Sequence, residues 1–283
     1  VINRFVYLTD THIGQPHMLA NQWRCTDLIE PLLDALADWM GHHPVDFVLH
    51  GGDIVVGPTP ERIEAATRLF ERLGVPTWLC LGNHDLERPE AIDTWRRHRH
   101  GLLPEGEPDY GFDFDQFRLF VVANHYTRTD RPYFYATDQS LAPFIDDAQV
   151  SRMDRFIGTS DKPVIVASHW ALAPSWLQIK DGTGIDPAYI GVFTDLGQRH
   201  DTLKLVLTAH IHANTCCRHG SFTSMSTAAF VECPFEFRYI TVDAGVIRVE
   251  TVSLRDAIHE PSEYLQENAW VQGTPEARLC IIS

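Results

Sequence analysis

Six short runs rich in apolar and β-branched residues punctuate the chain, and most of them break off into Asp, His, Asn or Gly. They are Phe5–Thr9, Phe47–His50, Thr77–Leu81, Phe117–Val122, Val164–Ser168 and Leu203–Thr208. Between several of them lie Asn21–Met40, Pro60–Leu73 and Asp147–Ile157, where apolar residues return every three or four positions as in amphipathic helices. Strand, helix, strand is therefore the repeating unit. In the last third, Thr215–Thr227, Phe235–Asp243 and Val246–Ser253 alternate as strands do, with a turn at Asp243-Ala244-Gly245. The expected fold lies at the α/β and α+β boundary: a sheet sandwich with helices outside, α/β at the start and antiparallel β near the end. The longest unbroken apolar run, Leu119 to Ala123, is five residues, too short for a helical membrane span. With no internal repeat and no Ser- or Gly-rich linker, the division expected is a domain over 1–254 and an extension over 255–283. Trp270 and the apolar end Leu279–Ile282 suggest that the extension packs on the domain or on a neighbouring subunit.

The polar residues at the strand ends carry the chemistry. Asp10-Thr11-His12 follows the first run, Gly51-Gly52-Asp53 the second, Gly82-Asn83-His84-Asp85 the third, and His169-Trp170 and Ala209-His210-Ile211-His212 two later ones. In an extended chain, residues two apart point the same way, so Asp10 with His12, and His210 with His212, can each face one point. Ligands of α/β sheets sit beyond the carboxyl ends of the strands, where these five segments would converge. Asp10, His12, Asp53, Asn83, His169, His210 and His212 make seven oxygen or nitrogen donors. That is too many for one four-coordinate ion and suits two metals sharing a carboxylate, with Asp53 the natural bridge. No cysteine joins the set, and imidazole with carboxylate suits Zn, Fe, Mn or Co as divalent or trivalent ions.

These blocks, in this order, resemble the calcineurin-like metallophosphoesterases. The resemblance runs from Asp10 to His212, with 43, 30, 86 and 41 residues separating Asp10, Asp53, Asn83, His169 and His210. The spacing is similar to that of the bacterial cyclic-nucleotide and glycerophosphodiester phosphodiesterases. Gly52-Asp53 is followed by Ile54-Val55-Val56-Gly57, without the Asp-Arg-Gly of the protein serine/threonine phosphatase branch, and Ala209 stands where Gly often precedes the His-x-His. The resemblance implies two mixed sheets between helices, in four layers α/β/β/α. It also implies that Asp10, His12 and His212 bind one metal, that Asn83, His169 and His210 bind the other, and that a bridging hydroxide attacks phosphorus. His84 would stabilise the phosphoryl charge or protonate the departing alkoxide, and Asp85 would orient His84 or brace the loop.

Substrate choice is expected in the loops around the crevice, where His125, Tyr126, Arg128 and Trp170, with Trp176 nearby, could stack an aryl or base group and hold a phosphate oxygen. The alternative is that these rings close the edge of the core. His50, inside a strand, reads as a core histidine or one that braces the metal ligands.

Charge narrows the partners. With 23 Lys+Arg against 38 Asp+Glu the formal charge is −15, which disfavours binding a long polyanion. A nuclease would need a basic track, and Arg96-Arg97-His98-Arg99-His100 is the single concentrated basic run. The six cysteines are too sparse for a disulfide framework and read as unpaired thiols. The expectation is a dinuclear hydrolase of small phosphodiesters, with no nucleic acid polymer and no membrane as partner, and with homo-oligomers open. Phosphomonoester or phosphonate monoester hydrolysis at the same site is the alternative, and a catalytically silent scaffold is the reading from another class. A cytoplasmic location is expected; because the chain starts at Val1, secretion or the periplasm stays open.

Overall fold

The structure, a computed structural model, describes residues 1–98, 101–136, 142–172, 187–258 and 264–283. Its strands are β1 (Asn3–Leu8), β2 (Met18–Leu19), β3 (Trp23–Arg24), β4 (Phe47–His50), β5 (Thr77–Leu79), β6 (Tyr110–Asp113), β7 (Arg118–Val122), β8 (Val164–Ser168), β9 (Leu203–Thr208), β10 (Cys217–His219), β11 (Phe222–Ser226), β12 (Glu236–Asp243), β13 (Val246–Ser253) and β14 (Leu279–Ile282). Its helices are α1 (Ile29–His42), α2 (Pro60–Glu71), α3 (Ala91–His98), α4 (Asp147–Gly158), α5 (Pro187–Arg199) and α6 (Pro275–Arg278).

Two six-stranded sheets carry the fold, ordered β14-β13-β12-β1-β4-β5 and β10-β11-β9-β8-β7-β6. In the first, β1, β4 and β5 are parallel, while β12, β13 and β14 add antiparallel strands. In the second, β7, β8, β9 and β11 are parallel, with β6 and β10 antiparallel at the two edges. β11 departs from the antiparallel pattern expected of the last third. The chain first doubles back through β10 at the edge and turns at Gly220, so β11 re-enters alongside β9 in the same direction.

Aromatic rings fill the space between the sheets. Phe5 and Phe47 lie in register on β1 and β4 with their rings 4.7 Å apart, and Phe117, just before β7, lies 5.6 Å from Phe5. Phe114 stacks on both Phe47 and Phe117, and Trp78 of β5 stacks on Phe112 of β6 at 4.0 Å. Burying one such side chain stabilises the fold by about 1.5–3 kcal/mol, so this stack is a main reason the two sheets stay face to face.

Helices cover the outer faces, completing the α/β/β/α order. Trp39 of α1 meets Phe237 and Tyr239 of β12 edge-on, Phe70 of α2 meets His50 of β4, and Phe156 of α4 meets Phe120 of β7. Local signals set the helix starts. Thr59 accepts from the Arg62 backbone N–H ahead of Pro60, and Asp146 with Gln149 forms a capping box. The expected Asn21–Met40 helix begins only at Ile29. The residues before it form the β2–β3 hairpin and a 3-10 turn, Thr26–Leu28, held by Cys25 N–H donating to Val231 O at 2.8 Å.

Described residues after Leu254 contact the rest of the chain. β14 extends the first sheet beside β13, Asn214 N–H donates to Val271 O at 2.7 Å, and the Asn268 amide donates to Asn21 O at 2.6 Å. No described helix is long and apolar enough to cross a membrane, and all six cysteines are free thiols.

Candidate metal centre

Past the ends of β1 and β4 the backbone stays paired: Asp10 N–H donates to Gly52 O at 3.0 Å, and His12 N–H to Asp53 O at 2.9 Å. The i, i+2 pairs converge by a different route from the extended chain expected. Asp10, His12, Asp53, His210 and His212 all have left-handed φ, at 56°, 46°, 54°, 68° and 50°. Thr11, between Asp10 and His12, turns away to His50 Nε2 and Ile54 O, and Asp, Asn and His tolerate such a backbone better than most residues. Glycines make room for the cluster. A Cβ on Gly52 would stand 2.9 Å from His169 Cγ and closer still to its Nδ1, and one on Gly82 would stand 2.9 Å from Asp53 Cγ.

The seven expected donors come together in two groups. In one, Asp10 Oδ1, His12 Nε2 and His212 Nε2 lie 3.7, 3.3 and 3.2 Å from one another, taken as His12–Asp10, His212–Asp10 and His12–His212. In the other, Asp53 Oδ2 is 3.3 Å from His169 Nε2, and Asn83 Oδ1 is 2.9 Å from His210 Nδ1. Asp53 belongs to two overlapping triads, one with His169 and His210 and one with His12 and His84.

This arrangement fits metal ions. A tetrahedral ion with ligands at about 2.1 Å holds them about 3.4 Å apart, close to the spacings of the first group. Asp10 Oδ1, Asp53 Oδ2 and His169 Nε2 are buried with no hydrogen-bond partner in the protein, although buried polar atoms are ordinarily satisfied. Imidazole lone pairs and carboxylate oxygens pointing at one another are stable only around shared positive charge.

The surrounding groups orient the ring nitrogens. His169 Nδ1 faces Gly51 O at 2.9 Å, which keeps its hydrogen there and turns Nε2 to Asp53. His50 accepts from Gly52 N–H at Nδ1, 3.2 Å, and meets Thr11 Oγ1 at Nε2, 3.1 Å, so it braces the loops; burial lowers its pKa to about 3. Burial also lowers His210 to about 3 and His12 well below the ordinary value, which leaves both rings neutral. At His169 and His212 burial works in the same direction, but Asp53 at the first and Glu232 with Asp10 at the second outweigh it, raising these rings to about 9 and about 10.

His84 is the most open ring of the set. Its Nδ1 meets Glu87 Oε1 at 2.5 Å and its Nε2 lies 4.0 Å from Asp53 Oδ2. Burial opposes its charged form, yet Asp53 and then Glu87 overcome that and raise its pKa. Of the two roles expected of Asp85, its hydrogen bonds serve the loop. Asp85 accepts from Val55 N–H at 3.0 Å and Gly82 N–H at 2.9 Å and braces the loop, and burial, followed by the charge of Asp53, raises it to about 7.

The crevice above the donors, about 270 Å³, is lined by Ala20, Asn21, Arg24, Asp53, His84, His210, Ile211 and His212. The four residues expected to bind substrate are not among them. His125 is buried edge-on against Tyr133 and Phe144, Tyr126 is buried against Tyr135, and Arg128 caps the ring of Phe144. Trp170 stacks on His210 with ring centres 3.6 Å apart, so it supports a donor from behind. In a two-sheet fold the rings that follow β7 and β8 complete the core edge. Trp176, Arg99 and His100 lie outside the described residues. Sequence reasoning missed Arg24, Glu87 and Glu232. Only Glu87 left a signal, three residues after His84 in a 3-10 turn, His84–Leu86, where i and i+3 side chains eclipse.

Residues 3–214 match the family described as calcineurin-like phosphoesterase. The chain belongs to that family. That membership, with the His and Asp clusters, supports a metal-binding phosphoric ester hydrolase. Its fold is similar to that of a dimetal phosphatase from Danio rerio, at 13% identity and TM-score 0.69 over 93% of this chain and 99% of the other. It is also similar to a purple acid phosphatase from yellow lupin, at 13% identity and TM-score 0.61 over 94% of this chain and 53% of that one. In sequence, 93 residues are 29% identical to the DNA double-strand break repair protein Mre11 of Methanococcus maripaludis. That segment is 31% of this chain and spans only 24% of Mre11.

Proposed function

We propose that this phosphoesterase hydrolyses small phosphodiesters, such as cyclic nucleotides or glycerophosphodiesters, at a centre of two metal ions. Asp10, His12 and His212 would hold one ion, Asn83, His169 and His210 the other, with Asp53 shared. When bound, two such ions supply an acidified water as nucleophile and polarise a phosphoryl oxygen. The chain's own residues then position and discharge the ester. His84, whose Nδ1 is tied to Glu87, presents Nε2 to the crevice, where it donates to the phosphoryl group or delivers a proton to the departing oxygen. Trp170 keeps the His210 ring in its plane, and Asp85 fixes the loop that carries Asn83 and His84.

One observation carries the preference for diesters. Arg24 is the single Lys or Arg among the described residues lining the crevice, and Glu232 already answers its charge, Nε to Oε1 at 3.4 Å. A diester carries one negative charge at neutral pH and a monoester nearly two, and a crevice without a further cation suits the former. The formal charge of −15 adds a repulsion that weighs most on long polyanions. The test is a panel of bis-aryl phosphate, cyclic nucleotides, glycerophosphodiesters, phosphonate monoesters, phosphomonoesters and a single-stranded oligonucleotide, run separately with Mn²⁺, Zn²⁺ and Fe²⁺. A higher kcat/KM for monoesters than for every diester, or turnover that survives rigorous chelation, would sink the proposal.

A further inference from the structure

We infer that Glu232 is a positioning residue that sets the tautomer of His212 and thereby the affinity of one ion of the pair. The inference rests on the metal-centre reading above. Glu232 Oε1 lies 2.7 Å from His212 Nδ1, and a second group, the terminal nitrogen of Arg24, lies 3.3 Å from the same atom. Both neighbours are buried and they pair with each other. They make opposite demands on Nδ1. A carboxylate can only accept there, which requires Nδ1–H, whereas a guanidinium can only donate, which requires a bare Nδ1 and puts the hydrogen on Nε2. The shorter, charge-assisted contact to Glu232 wins. Nε2, 3.3 Å from Asp10 Oδ1 and 3.2 Å from His12 Nε2, is then the nitrogen left to offer its lone pair to an ion held among these three residues.

The backbone builds this grip on purpose-placed segments. Arg24 of β3 forms an isolated antiparallel bridge with Glu232, and Gln22 N–H donates to Glu232 Oε2 at 3.3 Å. Arg24 is held from its far side by the Gln15 amide oxygen. His169, by contrast, takes its tautomer from Gly51 O, on the other side of the centre and without any contribution from Glu232. The two ions should therefore respond differently when Glu232 changes.

Glu232→Gln keeps the shape and removes the charge. Oε1 faces both Arg24 Nε and His212 Nδ1 while Oε2 takes the Gln22 N–H, so neither orientation of the amide serves all three: with its oxygen at Oε1 it offers Nδ1–H only a neutral bond, and with its nitrogen there it turns a donor toward both Arg24 and His212. Metal-stripped protein would be titrated with Zn²⁺ against a competing fluorescent chelator. Wild type should bind two ions per chain; Glu232→Gln should bind one as before and the other roughly 10–100-fold more weakly, the usual effect of removing such an outer partner. Equal weakening of both ions, or no weakening, overturns the inference. A wild type that binds fewer than two ions overturns the metal-centre reading itself. A second measurement avoids the variant's folding altogether: imidazole ¹⁵N spectra of zinc-loaded wild type, with His212 assigned by its absence from the His212→Asn spectrum. A protonated Nδ1 at His212 supports the inference, and a protonated Nε2 refutes it.

Discussion

Gly82→Ala is a one-carbon test of how tightly the shared carboxylate is confined. The added Cβ would lie 2.9 Å from Asp53 Cγ, and closer still to Asp53 Oδ1 and Asp53 N. Ordinary contact begins near 3.4 Å, so the carboxyl carbon must retreat by about half an ångström and its oxygen by more. Retreat is blocked from behind, because Asp53 Oδ1 accepts the His84 backbone N–H at 2.8 Å and the Asp53 carbonyl accepts from His12 N–H at 2.9 Å. Overpacking of this kind costs about 1–3 kcal/mol of stability. A misplacement approaching 1 Å at a reacting centre costs on the order of 10²-fold in rate. The assay is metal content by elemental analysis, kcat on an aryl phosphodiester and the unfolding midpoint, all beside Gly41→Ala. Gly41 lies exposed in α1, where an added Cβ meets nothing within 4 Å, and that variant should gain up to about 1 kcal/mol from helix propensity with unchanged turnover. Gly82→Ala with wild-type metal content and kcat would refute the confinement of Asp53.

Three further outcomes follow from the same geometry. His84→Asn should lower kcat by about 10²–10⁴-fold on alkyl diesters and far less on p-nitrophenyl diesters, with Glu87→Gln showing the same leaving-group pattern more weakly; equal losses for both substrates would remove His84 from proton delivery. Chelation should lower the unfolding midpoint, and restoring an ion at about 1,000 times its Kd should return about 4 kcal/mol, readable in the thermal unfolding curve; a midpoint indifferent to metal would contradict a preformed centre. Asn214→Ala strands the Ala228 N–H and one oxygen of Glu236, both buried, and should cost about 1–3 kcal/mol per stranded group in urea unfolding, whereas an unchanged midpoint would show that both groups find other partners.

The strand ends were readable because their chemistry is local: a β-rich run ending in Asp-x-His or Gly-Asn-His states both the element and the edge it reaches. The direction of the side chains was not, since left-handed φ at Asp10 and His12 goes with pairing to a loop 42 and 41 residues away, in Asp10 N–H to Gly52 O and His12 N–H to Asp53 O. Glu232 and Arg24 lie 20 and 188 residues from His212 and carry no motif; only the β3 bridge brings them to it. The aromatic candidates misled for a different reason. Tyr126 and Trp170 follow strands closely, and in a sandwich whose sheets are sealed by rings, the first aromatic past a strand is drawn into the seal before it can serve a ligand.

The five left-handed donors bear on how such a chain drifts over many generations of mutation. A non-glycine residue held there costs about 1–2 kcal/mol, so the five together amount to roughly 5–10 kcal/mol, as large as the whole net stability of many domains. Replacing any one of them with glycine relieves strain and erases a ligand, so the path to a sturdier fold and the path to a silent one coincide. A lineage selected only to persist as a folded surface would slide down that slope, one donor after another. All five of these residues stand at the steep end of that slope, so the backbone strain is gathered where the proposed ligands are.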